Sequence, residues 1–120
     1  MRIGLDLDET ISALPAFFSV ISQALVAAGH EVHVITYREP GTEDGVRAEL
    51  AGHGIAFTDV HLPARGDLPA PWKASVAGRL GLELMFEDSP ENLAAMPPGV
   101  GRMWLVDPEV FDLDHIVAGL

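Results

Sequence analysis

MRIGLDLDET, residues 1–10, is the stretch of sequence that decides the fold. Its first half is short and largely apolar, which is typical of a buried β-strand. The strand leads into two carboxylates, Asp6 and Asp8, which repel each other unless they share a cation or a proton. The stretch therefore predicts a strand that runs into a charged site, or a strand that simply leaves the core into a solvated acidic turn.

The composition of the 120-residue chain favours one folded domain over residues 1–120, with an acidic surface. Hydrophobic residues make up 48%, which argues against disorder, and no apolar run approaches the ~20 residues of a membrane span. The chain has no cysteine and its first ten residues do not form a signal peptide, so we expect a cytoplasmic protein. The net charge of −11 disfavours a groove for nucleic acid, and an anionic substrate would need a bound cation.

Apolar segments with strand and helix spacing alternate five times along the chain. This order predicts a three-layer α/β sandwich of the Rossmann type, with a five-stranded parallel sheet and helices on both faces. Within the first helix, Phe17 and Phe18 are both expected in the core. The predicted strands cover residues 1–5, 31–37, 55–60, 82–86 and 102–106, and the predicted helices cover 16–28, 43–51, 71–80, 89–96 and 112–118.

Polar side chains follow three of the predicted strands, and a lysine precedes one of them. Because all strands of such a sheet end at the same edge, we expect these side chains to converge there. Carboxylates suit Mg²⁺, which also takes phosphate oxygens, while a lysine and a hydroxyl suit the remaining oxygens of a phosphoryl group. One carboxylate can attack phosphorus and another can transfer protons. The converging residues are Asp6, Asp8, Thr36, Lys73, Glu87 and Asp88.

These residues, in this order, resemble the motifs of the haloacid dehalogenase-like (HAD) superfamily, most of whose members are phosphatases. The first motif of that family is an apolar strand followed by Asp-x-Asp-x-Thr/Val, as in residues 3–10. The second is an apolar strand that ends in Thr or Ser, as in residues 32–36. The third is a lysine upstream of the fourth strand, which Lys73 matches, and the fourth is an acidic pair after an apolar strand, as in residues 84–88. The resemblance covers nearly the whole chain.

The resemblance implies a Mg²⁺-dependent phosphatase that forms an aspartyl-phosphate on Asp6. Asp8 would be the general acid/base, Thr36 would hydrogen-bond a phosphoryl oxygen, and Lys73 would neutralise charge on the nucleophile and the phosphate. Thr10 would hold the turn. The implied metal ligands are Asp6, Asp8 through its backbone carbonyl, Asp88, and Glu87, which would act through water or would instead orient Lys73.

Many members of this family carry a cap domain, but the gaps after the first and third strands of this chain are too short to hold one. We therefore expect a minimal, capless member with an open site, which takes a small or large phosphorylated substrate and could cover the site by forming a homodimer. The loops expected to face the substrate cover residues 11–15, 38–44 and 61–71. Within them Arg38, His61 and Arg65 are either substrate contacts or ordinary loop residues, whereas His30, His33 and His53 are expected at element ends or on a helix surface.

Three other interpretations stay open. A receiver-type phosphoacceptor domain has a similar length and similar residues, but it would carry its threonine on the fourth strand and its lysine on the fifth. A HAD-fold protein could also bind Mg²⁺ or a partner protein without catalysis. A transferase or a phosphonate-cleaving member is the third possibility, and the latter usually needs a lysine from a cap.

Overall fold

A computed structural model of the chain describes residues 1–107 and 112–119. Strands and helices alternate along it, and all five strands run parallel in one sheet. The strands are β1 (Arg2–Leu5), β2 (Glu31–Ile35), β3 (Asp59–His61), β4 (Leu84–Glu87) and β5 (Gly101–Trp104). The helices are α1 (Pro15–Ala27), α2 (Glu43–Gly52), α3 (Pro69–Leu80), α4 (Pro90–Ala94) and α5 (Leu113–Ala118).

The sheet has the strand order β3-β2-β1-β4-β5, and two apolar cores cover its two faces. Phe18 of α1 and Leu50 of α2 belong to the first core, together with residues of β1 and β2. Val76 of α3 and Leu93 of α4 belong to the second core, together with Met85 of β4. The predicted three-layer α/β sandwich with a parallel, Rossmann-type sheet is confirmed. Within the described part of the chain, no helix combines the length and the apolar character that a membrane crossing requires.

Local sequence accounts for the ends of several helices. Proline lies in the first turn of α1, α3 and α4, where its missing N–H has no helical partner to lose. Ser89 caps α4, because its hydroxyl oxygen accepts a hydrogen bond from the backbone N–H of Asn92 at 3.3 Å. Gly81 ends α3 in a left-handed conformation with φ of 64°, which a glycine adopts without strain.

Two strands begin later than the sequence predicts. The backbone N–H groups at their predicted first residues are hydrogen-bonded to the end of the preceding helix. The N–H of Ile55, where the third strand was predicted to begin, donates to the carbonyl of Leu50 and closes α2. In the same way, the N–H of Leu82 donates to the carbonyl of Ala77 at the end of α3. Neither residue therefore contributes its N–H to the sheet, and the ladders begin further along the chain.

The two phenylalanines of α1 lie in different environments. Phe18 is 1% exposed and packs edge-to-face against Phe86 of β4. Phe17 is 48% exposed, so its predicted place in the core is wrong. Adjacent positions of a helix point about 100° apart, and only one of this pair can face the sheet.

Candidate active site

The order of the strands reverses at β1, and this places a crevice beside the ends of β1 and β4. The chain builds β2 and β3 on one side of β1 and then crosses to build β4 and β5 on the other side. In open parallel sheets, ligands bind at this switch point, beyond the carboxyl ends of the strands. Asp6 directly follows β1, Glu87 ends β4, and the N–H of Asp6 donates to the carbonyl of Phe86 at 3.0 Å.

The ammonium of Lys73 forms an ion pair with a carboxylate at the end of each of these two strands. Its Nζ lies 2.7 Å from Oδ1 of Asp6 and 2.7 Å from Oε2 of Glu87. All three side chains are buried, with Lys73 only 2% exposed. Lys73 is also the only lysine in a chain that has six arginines. A lysine is rarely buried unless it is paired, so this position has a specific electrostatic role.

The buried cluster holds one positive charge for two carboxylates. Burial raises the pKa of Asp6 to about 8, since the lowering by Lys73 is opposed further by the negative charge of Glu87. Burial also lowers the pKa of Lys73, but the two carboxylates outweigh it and the net change is upward. The ammonium is therefore retained, and a proton on Asp6 or an added cation would balance the remaining negative charge.

A third carboxylate completes a set of oxygen atoms that could hold a divalent cation. One oxygen each from Asp6, Glu87 and Asp88 lies within 4.8 Å of the other two. Such an all-oxygen donor set fits Mg²⁺, which prefers carboxylates, carbonyls and water. The two oxygens that do not contact Lys73 also have hydrogen-bond partners: Thr10 donates its hydroxyl to Oδ2 of Asp6 at 3.2 Å, and the N–H of Ser89 donates to Oε1 of Glu87 at 3.3 Å.

Asp8 lies outside this buried cluster. Its side chain is 53% exposed and its carboxylate accepts two hydrogen bonds from Arg38, from Nε and from Nη2, each at 2.8 Å. Nη2 of Arg38 also donates to Oε2 of Glu49 on α2 at 2.9 Å. The hydrogen bonds from Arg38 are the main reason that the pKa of Asp8 is lowered. Arg38, a candidate substrate contact from the sequence, is therefore a partner of Asp8.

Thr36 brings a buried hydroxyl to the edge of the sheet next to β1. Leu5 of β1 pairs with Val34 of β2, and Thr36 follows β2 just as Asp6 follows β1. Its hydroxyl is fully buried and has no hydrogen-bond partner among the residues that the structure describes. A buried hydroxyl without a partner is costly, so this one is available to donate to a ligand oxygen.

The turn after β1 is wide and holds one strained residue. Residues Leu7–Ile11 form a single irregular helical turn, in which Glu9 has φ of 60°. A left-handed conformation costs a residue other than glycine roughly 1–2 kcal/mol. The N–H of Glu9 donates to the hydroxyl of Ser12 at 3.0 Å, and the buried Thr10 ties the turn to Asp6. The sequence predicts that Thr10 holds the turn, and its contact with Asp6 is an addition from the structure.

The sequence-based placement of His33 is wrong. His33 lies in the middle of β2, is 5% exposed, and has Nδ1 3.0 Å from Nε2 of His61 and Nε2 3.0 Å from Oε1 of Glu31. Burial, followed by the charge of His33, lowers the pKa of the His61 side chain. A parallel strand with helices on both faces of its sheet buries side chains on both sides, and this gave a signal for the burial of His33. The other two histidines of that prediction lie at element ends as expected, His30 before β2 and His53 after α2.

Two of the three loops predicted to face the substrate line one cavity of about 890 Å³. Parts of residues 38–44 and 61–71 form its rim, and Trp72 and Arg79 of α3 form another wall. Arg65 is exposed in the second loop. The buried carboxylates do not line this cavity, so the structure places these two loops at a common cavity that is separate from the acidic cluster. Their contact with a substrate stays a prediction.

A smaller, apolar cavity of about 250 Å³ has one wall in contact with Asp88. Trp104 in its wall donates its indole N–H to the backbone carbonyl of Asp88 at 3.0 Å. Leu14 comes from the loop 11–15 that is predicted to face the substrate, but the cavity itself was not predicted, because it forms between α1 and the ends of β4 and β5. It is lined by Leu14, Phe17, Phe18, Phe86, Met103, Trp104 and Leu105.

The structure brings together most of the side chains that the sequence selected. Asp6, Lys73, Glu87 and Asp88 form one cluster, Thr36 lies at the same edge on the adjacent strand, and the carboxylate of Asp8 turns to Arg38. Comparison of the chain with known protein families, with curated proteins and with solved structures found no match.

Proposed function

We propose that the protein is a Mg²⁺-dependent phosphatase of the HAD type, which hydrolyses a phosphomonoester through an aspartyl-phosphate on Asp6. The observation that carries the proposal is the buried cluster of Asp6, Lys73 and Glu87, with Asp88 beside it, at the switch point of a parallel sheet. The cluster combines a carboxylate nucleophile, an ammonium and an excess of negative charge that a cation would balance. These are the parts that phosphoryl transfer to a carboxylate requires.

Asp6, Glu87 and Asp88 would hold the Mg²⁺ ion, which would offset the negative charge of the phosphate when bound. In the first step, the carboxylate of Asp6 attacks phosphorus and the P–O bond to the leaving group breaks. Asp8 would gain a proton from solvent when the negative charge of the bound phosphate offsets the lowering of its pKa by Arg38, and it then gives this proton to the leaving oxygen. In the second step, a water molecule gives a proton to Asp8 and attacks phosphorus. The acyl-phosphate bond then breaks, which releases phosphate and restores Asp6.

The remaining polar groups would bind the phosphoryl oxygens. The hydroxyl of Thr36, which has no partner among the described residues, would donate to one oxygen. The ammonium of Lys73 would compensate charge on Asp6 and on the transferred group, and its raised pKa keeps it protonated. The charge of −11 makes this local positive charge necessary, because the rest of the surface repels a phosphate.

Hydrolysis of p-nitrophenyl phosphate, with and without Mg²⁺, tests the proposal. We expect turnover that requires Mg²⁺ and that falls by about 10³-fold or more in Asp6→Asn, because the amide cannot act as the nucleophile. Asp114→Asn is the matched control, since Asp114 is an exposed acid in the first turn of α5 and lies outside the loops predicted to face the substrate. Circular dichroism would establish that both variants fold.

Several outcomes would contradict the proposed mechanism. One is a folded wild type that binds Mg²⁺ without turnover, which would favour a non-catalytic or receiver-type protein. Another is an Asp6→Asn variant that retains the full rate. Beryllium fluoride, which mimics an acyl phosphate, should bind the wild type in the presence of Mg²⁺ and should not bind Asp6→Asn.

A further inference from the structure

The side chain of Asp8 is held by a chain of two ion pairs that ends on a helix. Arg38 binds both carboxylate oxygens of Asp8, at 2.8 Å each, and Glu49 binds Nη2 of the same arginine at 2.9 Å. Asp8 lies in the turn after β1, Arg38 in the loop after β2, and Glu49 in α2. The turn after β1 is therefore tied, through one guanidinium group, to the loop after β2 and to α2.

Two parallel hydrogen bonds restrict a carboxylate more than a single bond does. The planar guanidinium presents Nε and Nη2 side by side, and this fixes the plane of the carboxylate as well as its position. Without Arg38, the side chain of Asp8 would rotate in solvent, since it is 53% exposed. Glu49 precedes Leu50, which is fully buried in the first core, so the far end of this chain of ion pairs is fixed to a rigid element.

Resting on the proposed function, we infer that Arg38, held by Glu49, is a positioning residue for the general acid/base Asp8. Arg38 fixes the plane and the position of this carboxylate, which follows Asp6 by two residues in the turn after β1, and it does not itself touch the reacting atoms. A proton donor that is displaced by about 1 Å can cost a factor of about 10² in rate, so the orientation of Asp8 controls turnover. The competing role, direct binding of the substrate phosphate by Arg38, would act on the Michaelis constant instead.

The test compares kcat and KM for p-nitrophenyl phosphate in Arg38→Ala, Arg38→Lys and Glu49→Ala. We expect kcat to fall by about 10- to 100-fold in Arg38→Ala, with KM within about twofold of the wild-type value. Arg38→Lys should recover little of the loss, because an ammonium cannot bind both oxygens in one plane. Glu49→Ala should show a smaller fall in kcat, and added guanidinium ion should raise the kcat of Arg38→Ala.

Arg47→Ala is the matched control. Arg47 lies on α2 and also joins two acids, Glu43 and Asp59, but it does not contact Asp8. Its removal should leave kcat and KM unchanged. A rise in KM at constant kcat in Arg38→Ala would show that Arg38 binds substrate and would overturn the inference, as would unchanged kinetics. Absence of turnover in the wild type would instead contradict the proposed function, and the inference would fall with it.

Discussion

At the scale of single residues, the buried charge balance depends on Lys73. Removal of its ammonium in Lys73→Met leaves Asp6 and Glu87 buried without a positive partner. Breaking a buried pair in this way costs about 3–5 kcal/mol. Glu87→Gln has the opposite effect on charge, because it leaves Asp6 and Lys73 as a balanced pair. We therefore expect Lys73→Met to lower the free energy of unfolding by about 3 kcal/mol, and Glu87→Gln to change it by less than about 1 kcal/mol.

Urea unfolding in the presence of a chelator, at neutral pH, measures both values. Arg2→Met is the control, since Arg2 forms an exposed ion pair with Glu83 at 3.6 Å and such pairs contribute about 0–1 kcal/mol. Equal losses of unfolding free energy in Lys73→Met and Glu87→Gln would show that the cluster does not carry an excess of negative charge. They would also remove the electrostatic reason to place a cation there.

The sequence could predict which polar residues meet, because that follows from topology alone. The carboxyl ends of parallel strands lie at the same edge of the sheet, whichever residues stand there. This is enough to bring Asp6 and Glu87 together. The pairing of Asp8 with Arg38 and of His33 with His61 depends on side-chain directions in the folded chain. Neither spacing nor residue type specifies such contacts between distant segments, so both pairs were missed.

At the scale of elements, Gly4 controls how β1 packs between its neighbours. A Cβ at this position would lie 2.6 Å from Sδ of Met85 and 2.7 Å from Cδ1 of Leu82, both buried in the second core. We expect Gly4→Ala to destabilise the protein by about 1–3 kcal/mol, the usual cost of overpacking a core. Because β1 and β4 carry Asp6 and Glu87, the same variant should also lower phosphatase turnover.

Gly45→Ala is the matched substitution in a helix. No atom lies within 4 Å of a Cβ at Gly45 in α2, so the change should stabilise the protein by up to about 1 kcal/mol through helix propensity. Thermal unfolding measures the change in stability of both variants, which should be a loss for Gly4→Ala and a gain for Gly45→Ala. A stable Gly4→Ala variant would show that Met85 and Leu82 can move aside without loss of packing.

Helix starts were easier to predict than strand starts, and the reason is local chemistry. Ser89 and Pro90 specify the start of α4 through a capping hydroxyl and a fixed φ, which need no partner from elsewhere in the chain. The start of a strand depends on which neighbour accepts its N–H. Ile55 and Leu82 have the apolar character of strand residues, yet each bonds back to the preceding helix, and only the structure shows this.

At the scale of the whole molecule, the acidic surface and the acidic site should respond differently to cations. The net charge of −11 is screened by any salt, whereas the oxygens of Asp6, Glu87 and Asp88 form a specific site. MgCl₂ should therefore raise the unfolding temperature more than NaCl at equal ionic strength. A ligand at 100 times its dissociation constant stabilises a protein by about 2.7 kcal/mol, which is measurable by calorimetry.

The extra stabilisation by Mg²⁺ should also depend on pH. Burial raises the pKa of Asp6 to about 8, so a proton competes with the cation below that value. The difference between MgCl₂ and NaCl should accordingly grow as the pH rises towards 8, because the cation binds the ionised carboxylate. Asp88→Asn should reduce this difference, and Asp114→Asn should retain it. Equal effects of the two salts at every pH would mean that magnesium only screens the surface charge, and the buried carboxylates would then have to be balanced by a proton alone.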